Sequence, residues 1–287
     1  MYGRDRVRLL HNLTSNDVRK LATGSGCYAF LLSPQGHIQA DLTLLVFDDH
    51  ILLDTEPELR EKVVDHIRRY IVGDQVELQD VTAETCSIAL EGPEAAPAME
   101  KSGGVELDGD HRHVLCKSAI VARVSQTGQP GFRIYAPTAA SAEIVRRLTE
   151  AGAQPATDED ARLMRIENGR PRYGEDIRET SLAQETGQMH AVSFSKGCYL
   201  GQEIVERVRA QGHVNRRLVR LRLDAAVPAG TALTVDGAEA GEITSSALEA
   251  GQGGAVALAY VRSAYAAPGQ RLAAGRIPAV VTGIAGE

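Results

Sequence analysis

The last quarter of the chain constrains the fold most. From about Asn215 onward, short apolar-rich stretches recur at Leu218 to Leu223, Ala232 to Val235, Glu242 to Ser245, Ala255 to Val261, Arg271 to Ala273 and Ile277 to Thr282, separated by glycine-bearing turns. These stretches are too short for helices but have the length of strands. Evenly spaced short strands with no helix between them bury their apolar faces by curling on one another, which predicts a small β-barrel or sandwich over residues 215–287.

The region before it has a different rhythm. Asp5 to Leu13 carries apolar residues at helical spacing, and Thr14-Ser15-Asn16-Asp17 supplies capping groups for a second helix, Val18 to Ala22. A meander follows: a strand Tyr28 to Leu32, a turn at Ser33-Pro34-Gln35-Gly36, a long strand His37 to Phe47, and a strand Ile51 to Asp54. Glu56 to Val72 is an amphipathic helix on Leu59, Val63, Ile67 and Ile71. Strands are expected at Gln75 to Val81, Thr85 to Glu91, Val114 to Val124 and Phe132 to Tyr135, with helices at Glu94 to Lys101, Ala139 to Ala151 and Asp158 to Asn168. Strand–helix–strand order occurring twice predicts two α+β units with antiparallel sheets. Gly24-x-Gly26-x-x-Ala29 fits a dinucleotide-loop pattern, but it follows a helix and leads into a strand, the reverse of that loop's setting; it is a turn.

At 287 residues the chain exceeds one small domain. Its net charge of −7 argues against non-specific binding to nucleic acid or anionic membranes by the protein as a whole. The four cysteines Cys27, Cys86, Cys116 and Cys198 form no CxxC pair, hence no disulfide framework or zinc-finger spacing, and a reducing cytoplasm is the expected setting. Neither a signal peptide nor an apolar run of transmembrane length is found. The abrupt start at Met1-Tyr2-Gly3 suggests a missing first strand or a differently placed start.

Four sequence features carry chemistry. Lys196-Gly197-Cys198-Tyr199-Leu200-Gly201-Gln202-Glu203 is a loop running into a helix, Gln202 to Arg209. The positive potential of the helix start and the Lys196 charge mark Cys198 as the reactive cysteine; the alternative is a small apolar cysteine in a turn. Asp41 lies on a strand with apolar neighbours, either solvent-facing or a polar group set into a cavity. His111-x-His113-x-x-Cys116 resembles ligand spacing, yet on a strand Cys116 faces away from both histidines, so a surface hairpin and no metal site are expected. Arg207, Arg209, Arg216, Arg217, Arg220 and Arg222 form a basic stretch that is solvated, steers an anionic tail or binds RNA phosphates. No aromatic residue interleaves it, which weakens the RNA reading.

The octapeptide Lys196 to Glu203 resembles the signature of the YgfZ family, folate-binding relatives of the glycine-cleavage T-protein. Gly36 to Leu42 resembles a T-protein hairpin whose aspartate sits beside the reactive nitrogens of tetrahydrofolate, a role that falls on Asp41. Arg165-Ile166-Glu167-x-Gly169-x-Pro171-x-Tyr173-Gly174-x-Asp176 resembles the segment lining the folate pocket. There Glu179 would hold the pterin edge by paired hydrogen bonds, Tyr173 would pack on the ring, and Glu185 is a weaker candidate. Tyr199 and Gln202 are further implied folate contacts. Gly241 to Ser245 and Ala259-Tyr260-Val261 resemble the superfamily's C-terminal barrel.

The resemblance implies an α+β fold of two interleaved units with antiparallel sheets, about 1–85 with 155–214 and 86–154, together a folate-binding region over 1–214. A C-terminal β-barrel completes it. It also implies a cytoplasmic monomer binding tetrahydrofolate that supports iron–sulfur cluster assembly or repair and through it tRNA modification; the basic stretch adds the expectation that a polyglutamate tail on the folate is attracted there. Cys198 would be the essential group and Lys196 its electrostatic helper. Partners would be iron–sulfur assembly proteins or client enzymes, tRNA more weakly, and no membrane. A folate-dependent aminomethyltransferase or demethylase is the first alternative, although T-proteins carry an acidic–aromatic pair where Cys198-Tyr199 stand. A non-enzymatic adaptor for tRNA or an iron–sulfur scaffold is the second.

Overall fold

The computed structural model describes residues 1–249, 251 and 253–286. The chain packs into two compact units, one of Met1–Ala29 with Asp41–Ala156 and one of Phe30–Ala40 with Thr157–Glu287. In the first, α1 (Arg6–Leu13) precedes a sheet of β1 (Ser25–Leu32), β2 (Ile38–Val46) and β3 (Ile51–Asp54), and α2 (Arg60–Arg69) follows. The tip of the β1–β2 hairpin belongs to the second unit. A four-stranded sheet of order β4-β7-β6-β5 comes next, from β4 (Thr85–Glu91), β5 (His113–Cys116), β6 (Ala119–Ala122) and β7 (Gly131–Pro137). The helices α3 (Ala95–Lys101) and α4 (Ser141–Glu150) complete its core, where Leu90, Met99, Phe132, Ile134 and Leu148 are buried together. β2 and β3, β4 and β7, β5 and β6, and β6 and β7 all pair antiparallel, as expected.

The second unit begins with α5 (Asp158–Glu167), started by a capping box between Thr157 and Asp160. A long connection of turns leads to α6 (Gln202–Gln211) and then to six strands. These are β8 (Arg216–Leu223), β9 (Ala232–Val235), β10 (Ala238–Leu248), β11 (Ala255–Arg262), β12 (Arg271–Ala274) and β13 (Ile277–Ile284). They close into a barrel of order β10-β11-β8-β13-β12-β9, so no strand is left as an edge. On β8 the odd-numbered Val219, Leu221 and Leu223 point into the barrel core. Leu218, on the outer face, packs with Ile166 of α5 and with Leu258 and Tyr260 of β11.

Three expectations from the sequence fail locally. Gln75 to Val81 is not a strand; its one ladder contact is the bridge between Tyr2 and Glu77, because alternation without a continuous partner makes no sheet. Val114 to Val124 is broken into β5 and β6 by a turn in which Lys117 is left-handed, at φ 58°. Val18 to Ala22 forms only a single 3₁₀ turn, Val18–Lys20. The Asn16 side chain is spent elsewhere, donating to the Tyr28 carbonyl at 2.9 Å and accepting from the Asp17 N–H at 2.9 Å.

Candidate functional site

The octapeptide folds as a loop ending at Gly201, the N-cap of α6, which adopts φ +83°. A Cβ at Gly201 would lie 2.5 Å from the Ser33 carbonyl oxygen, and one at Gly36 would lie 2.7 Å from Cβ of Ile204. These two glycines let the hairpin tip seat against the start of α6. Gln202 reaches back, its Oε1 accepting from the Tyr199 N–H at 3.3 Å. Cys198 is exposed, whereas Cys27 is buried and Cys86 and Cys116 are half-buried. Lys196 is buried, with Nζ 4.8 Å from the centre of the Tyr199 ring, within cation–π range. Tyr199 is itself buried, and its hydroxyl has no hydrogen-bond partner among the described residues. Burial, and next the negative charge of Glu206, push that hydroxyl up to about 12, so it stays protonated.

Asp41 is half-buried on β2. Tyr28 on β1 donates its hydroxyl to Asp41 Oδ2 at 2.8 Å, Asp41 Oδ1 is shielded from solvent, and Thr55 donates to the Asp41 carbonyl at 2.8 Å. The carboxylate is therefore neither a plain surface acid nor a fully enclosed one. The sequence reading missed Tyr28. Because Ser33 and His37 close the hairpin, counting outward brings residue 28 close to residue 41, and this was the available signal.

The segment from Arg165 to Asp176 is built around a buried ion pair. Asp176 is fully buried, and its Oδ2 accepts from Arg165 Nη1 at 2.7 Å and from the Arg172 N–H at 3.1 Å. Its Oδ1 accepts from Ser245 Oγ at 2.7 Å and from the Thr244 hydroxyl, both on β10. Arg165 also donates to Glu175 at 2.8 Å. Tyr173 is buried, with its hydroxyl donated to the Ile38 carbonyl at 3.3 Å. Glu179 is exposed, because it occupies a middle position of a turn closed by the Ser181 N–H on the Arg178 carbonyl at 2.8 Å.

A small solvent-open cleft lies in the second unit, lined by Arg178, Thr180, Ser181, Arg216, Glu242 and Tyr260. Asp41, Tyr173 and Glu179 do not line it, although Glu179 lies between two residues that do. Arg216 holds the buried Glu185 carboxylate at 3.1 Å and lies 4.5 Å over the Tyr260 ring. Glu185 is thus more tightly integrated than its standing in the sequence suggested. The basic stretch is not one patch. Arg209 pairs with Glu206 and covers Phe194, Arg222 pairs with Glu249, and Arg216 is claimed by Glu185. Strand alternation and the break between α6 and β8 disperse it. The expected hairpin forms from β5 and β6, but His113 on it is buried, its ring nitrogens 3.2 and 3.1 Å from the carbonyls of His111 and Val46.

A closed six-stranded barrel following mixed α+β elements, with a carboxylate presented on a hairpin, defines the class. The family profile of the GCVT N-terminal domain matches residues 1–196, and that of the glycine cleavage T-protein C-terminal barrel domain matches 216–283. The chain belongs to this family. It is 33% identical over 268 residues to an aminomethyltransferase of Rubrobacter xylanophilus, covering 90% of this chain and 72% of that protein. A chloroplastic protein of Arabidopsis thaliana that carries a transferase name is 28% identical over 280 residues; the match covers 95% of this chain but 65% of that relative. The crystal structure of glycine cleavage system aminomethyltransferase T from Bartonella henselae superposes with a TM-score of 0.86 at 20% identity, covering 98% of this chain and 81% of that one. That likeness establishes the fold. Among the described residues no helix is long and apolar enough to cross a membrane.

Proposed function

We propose that the protein is a tetrahydrofolate-dependent transferase of the aminomethyl type. The observation that carries this reading is Asp41, a carboxylate aimed by Tyr28 with its other oxygen shielded from water. Kinship with an aminomethyltransferase across 90% of the chain supports it. Tetrahydrofolate would supply the nitrogens that carry the one-carbon unit. Within the first unit, the oriented Asp41 carboxylate has the chemistry to meet an amine. Within the second, the exposed Glu179 carboxylate has the chemistry to meet a pterin edge. Asp41 would hold or accept a proton at Oδ1 while Tyr28 fixes Oδ2.

A second reading rests on Cys198. It is the one exposed cysteine of the four, at a place where T-proteins carry an acidic–aromatic pair, and this favours the YgfZ-like role in supporting iron–sulfur proteins. The two readings separate when the purified protein is incubated with methylene-tetrahydrofolate and an amine acceptor. Transfer that disappears in Asp41→Asn and survives in Cys198→Ser supports the transferase. No turnover in the wild type, together with loss of iron–sulfur enzyme activity in cells carrying Cys198→Ser, would replace it with the second reading.

A further inference from the structure

The cleft of the second unit holds a hydroxyl hydrogen that meets no acceptor among the described residues. Ser181 Oγ and Tyr260 Oη share one hydrogen bond at 3.1 Å, and either can donate. Ser181 Oγ also accepts from the Arg178 N–H at 3.1 Å. Each hydroxyl carries one hydrogen, so the pair has two and their mutual bond consumes one. Whichever way that bond runs, the second hydrogen meets no acceptor among the described residues. Both side chains are more than nine-tenths buried, with exposures of 1% for Ser181 and 7% for Tyr260. An unmatched donor at such depth is costly unless a water or ligand meets it. Tyr260 cannot escape by ionising, because burial pushes its hydroxyl up to about 12.

The neighbouring guanidiniums are also incompletely used. Arg178 gives Nη1 to Glu242 at 3.2 Å and Nε to the Glu175 carbonyl at 3.3 Å, and its Nη2 has no acceptor among the described residues. Arg216 gives Nη2 to Glu185, and its Nη1 and Nε have none. The group that complements one hydroxyl hydrogen and two forked cations is planar and accepts only. Glu242 does not exclude it. The Arg178–Glu242 pair is 47% exposed on both sides, so water screens it and Arg178 can exchange partners at little cost.

We propose that this cleft is a carboxylate-recognition subsite in which Arg178 clamps the anion and the unused hydroxyl hydrogen of the Ser181–Tyr260 pair orients it. In the version that rests on the folate reading above, the carboxylate is that of the ligand's glutamate tail. A free amino acid offers the same group.

Calorimetric titration of the whole chain with tetrahydrofolate, with tetrahydropteroate (the same pterin without glutamate) and with L-glutamate tests this. Wild type should prefer the glutamate-bearing pterin by about tenfold, and Arg178→Gln should reduce the preference to below about threefold. The hydrogen inventory adds a sharper requirement. Ser181→Ala or Tyr260→Phe alone still leaves one hydroxyl hydrogen in the cleft, so each should shift the preference by less than about threefold, while the double variant loses it. Should the double variant not fold, Arg178→Gln, an exposed position, decides alone. Equal affinity for both pterins, unchanged by Arg178→Gln, overturns the subsite and leaves the folate reading standing. L-glutamate binding weakened by Arg178→Gln, with neither pterin bound, supports the subsite and removes the folate reading. No binding of any of the three overturns both.

Discussion

Asp176 and Asp41 are both carboxylates drawn out of full solvent exposure, and the protein treats them in opposite ways. Asp176 receives hydrogen bonds from Arg165, the Arg172 backbone, Thr244 and Ser245, which occupy both of its oxygens. A carboxylate so enclosed has no capacity left for a ligand; it ties the loop after α5 to β10 of the barrel. Asp41 is half-buried and has one oxygen set by Tyr28. The contrast teaches that a charged residue withdrawn from solvent is not by itself a site. What distinguishes the two is burial: Asp176 is fully enclosed by its partners, whereas Asp41 is only half-buried.

That contrast can be broken experimentally, and the largest effect is expected at Asp176. Asp176→Ala leaves the buried Arg165 without its main partner and should cost about 3–5 kcal/mol in urea unfolding. A loss below about 1 kcal/mol, the scale of an exposed pair, would show that the network is not what holds this loop. Asp41→Asn should behave in reverse. It should leave the unfolding curve nearly unchanged and lower any folate-dependent transfer by about 100-fold or more, and Tyr28→Phe, which frees Oδ2, should lower it by about tenfold. An Asp41→Asn protein that unfolds much earlier would place Asp41 with Asp176 as a structural acid.

The smallest effect concerns pH and sharpens the comparison within the first unit. Burial, opposed by the two carbonyl contacts, lowers His113 from its ordinary value of 6.5. A group lowered on folding binds its proton more readily when unfolded. The contribution is therefore intact above about 6.5 and is lost as pH falls from there towards the lowered value. The stability of the wild type should fall across that acid range more steeply than that of His113→Gln; parallel curves would show that His113 is not responsible.

Much of this architecture was legible in the chain. All six barrel strands were located from glycine punctuation, because a short apolar stretch between turn residues has few ways to bury itself. The strands of the first unit that carry long apolar runs were found for the same reason. Gln75 to Val81 was misread because pairing depends on a partner strand elsewhere, which no local pattern reports. At the candidate site, the sequence singled out Asp41 and Cys198 by residue type and setting. It did not reveal Tyr28, or that Ser181 and Tyr260 would meet.

By itself, then, the sequence determined the alternation of α+β elements, the barrel, and the positions at which chemistry could be placed, since propensity, periodicity and turn residues act over a few neighbours. Tertiary structure alone decided which of those groups remain available. Glu179 is exposed at a turn, Tyr173 gives its hydroxyl to a carbonyl 135 residues away, and the arginines of one sequence run disperse to separate partners. Hydrogen-bonding capacity is allocated by contacts between residues distant in the chain, and those exist only once the chain has closed on itself.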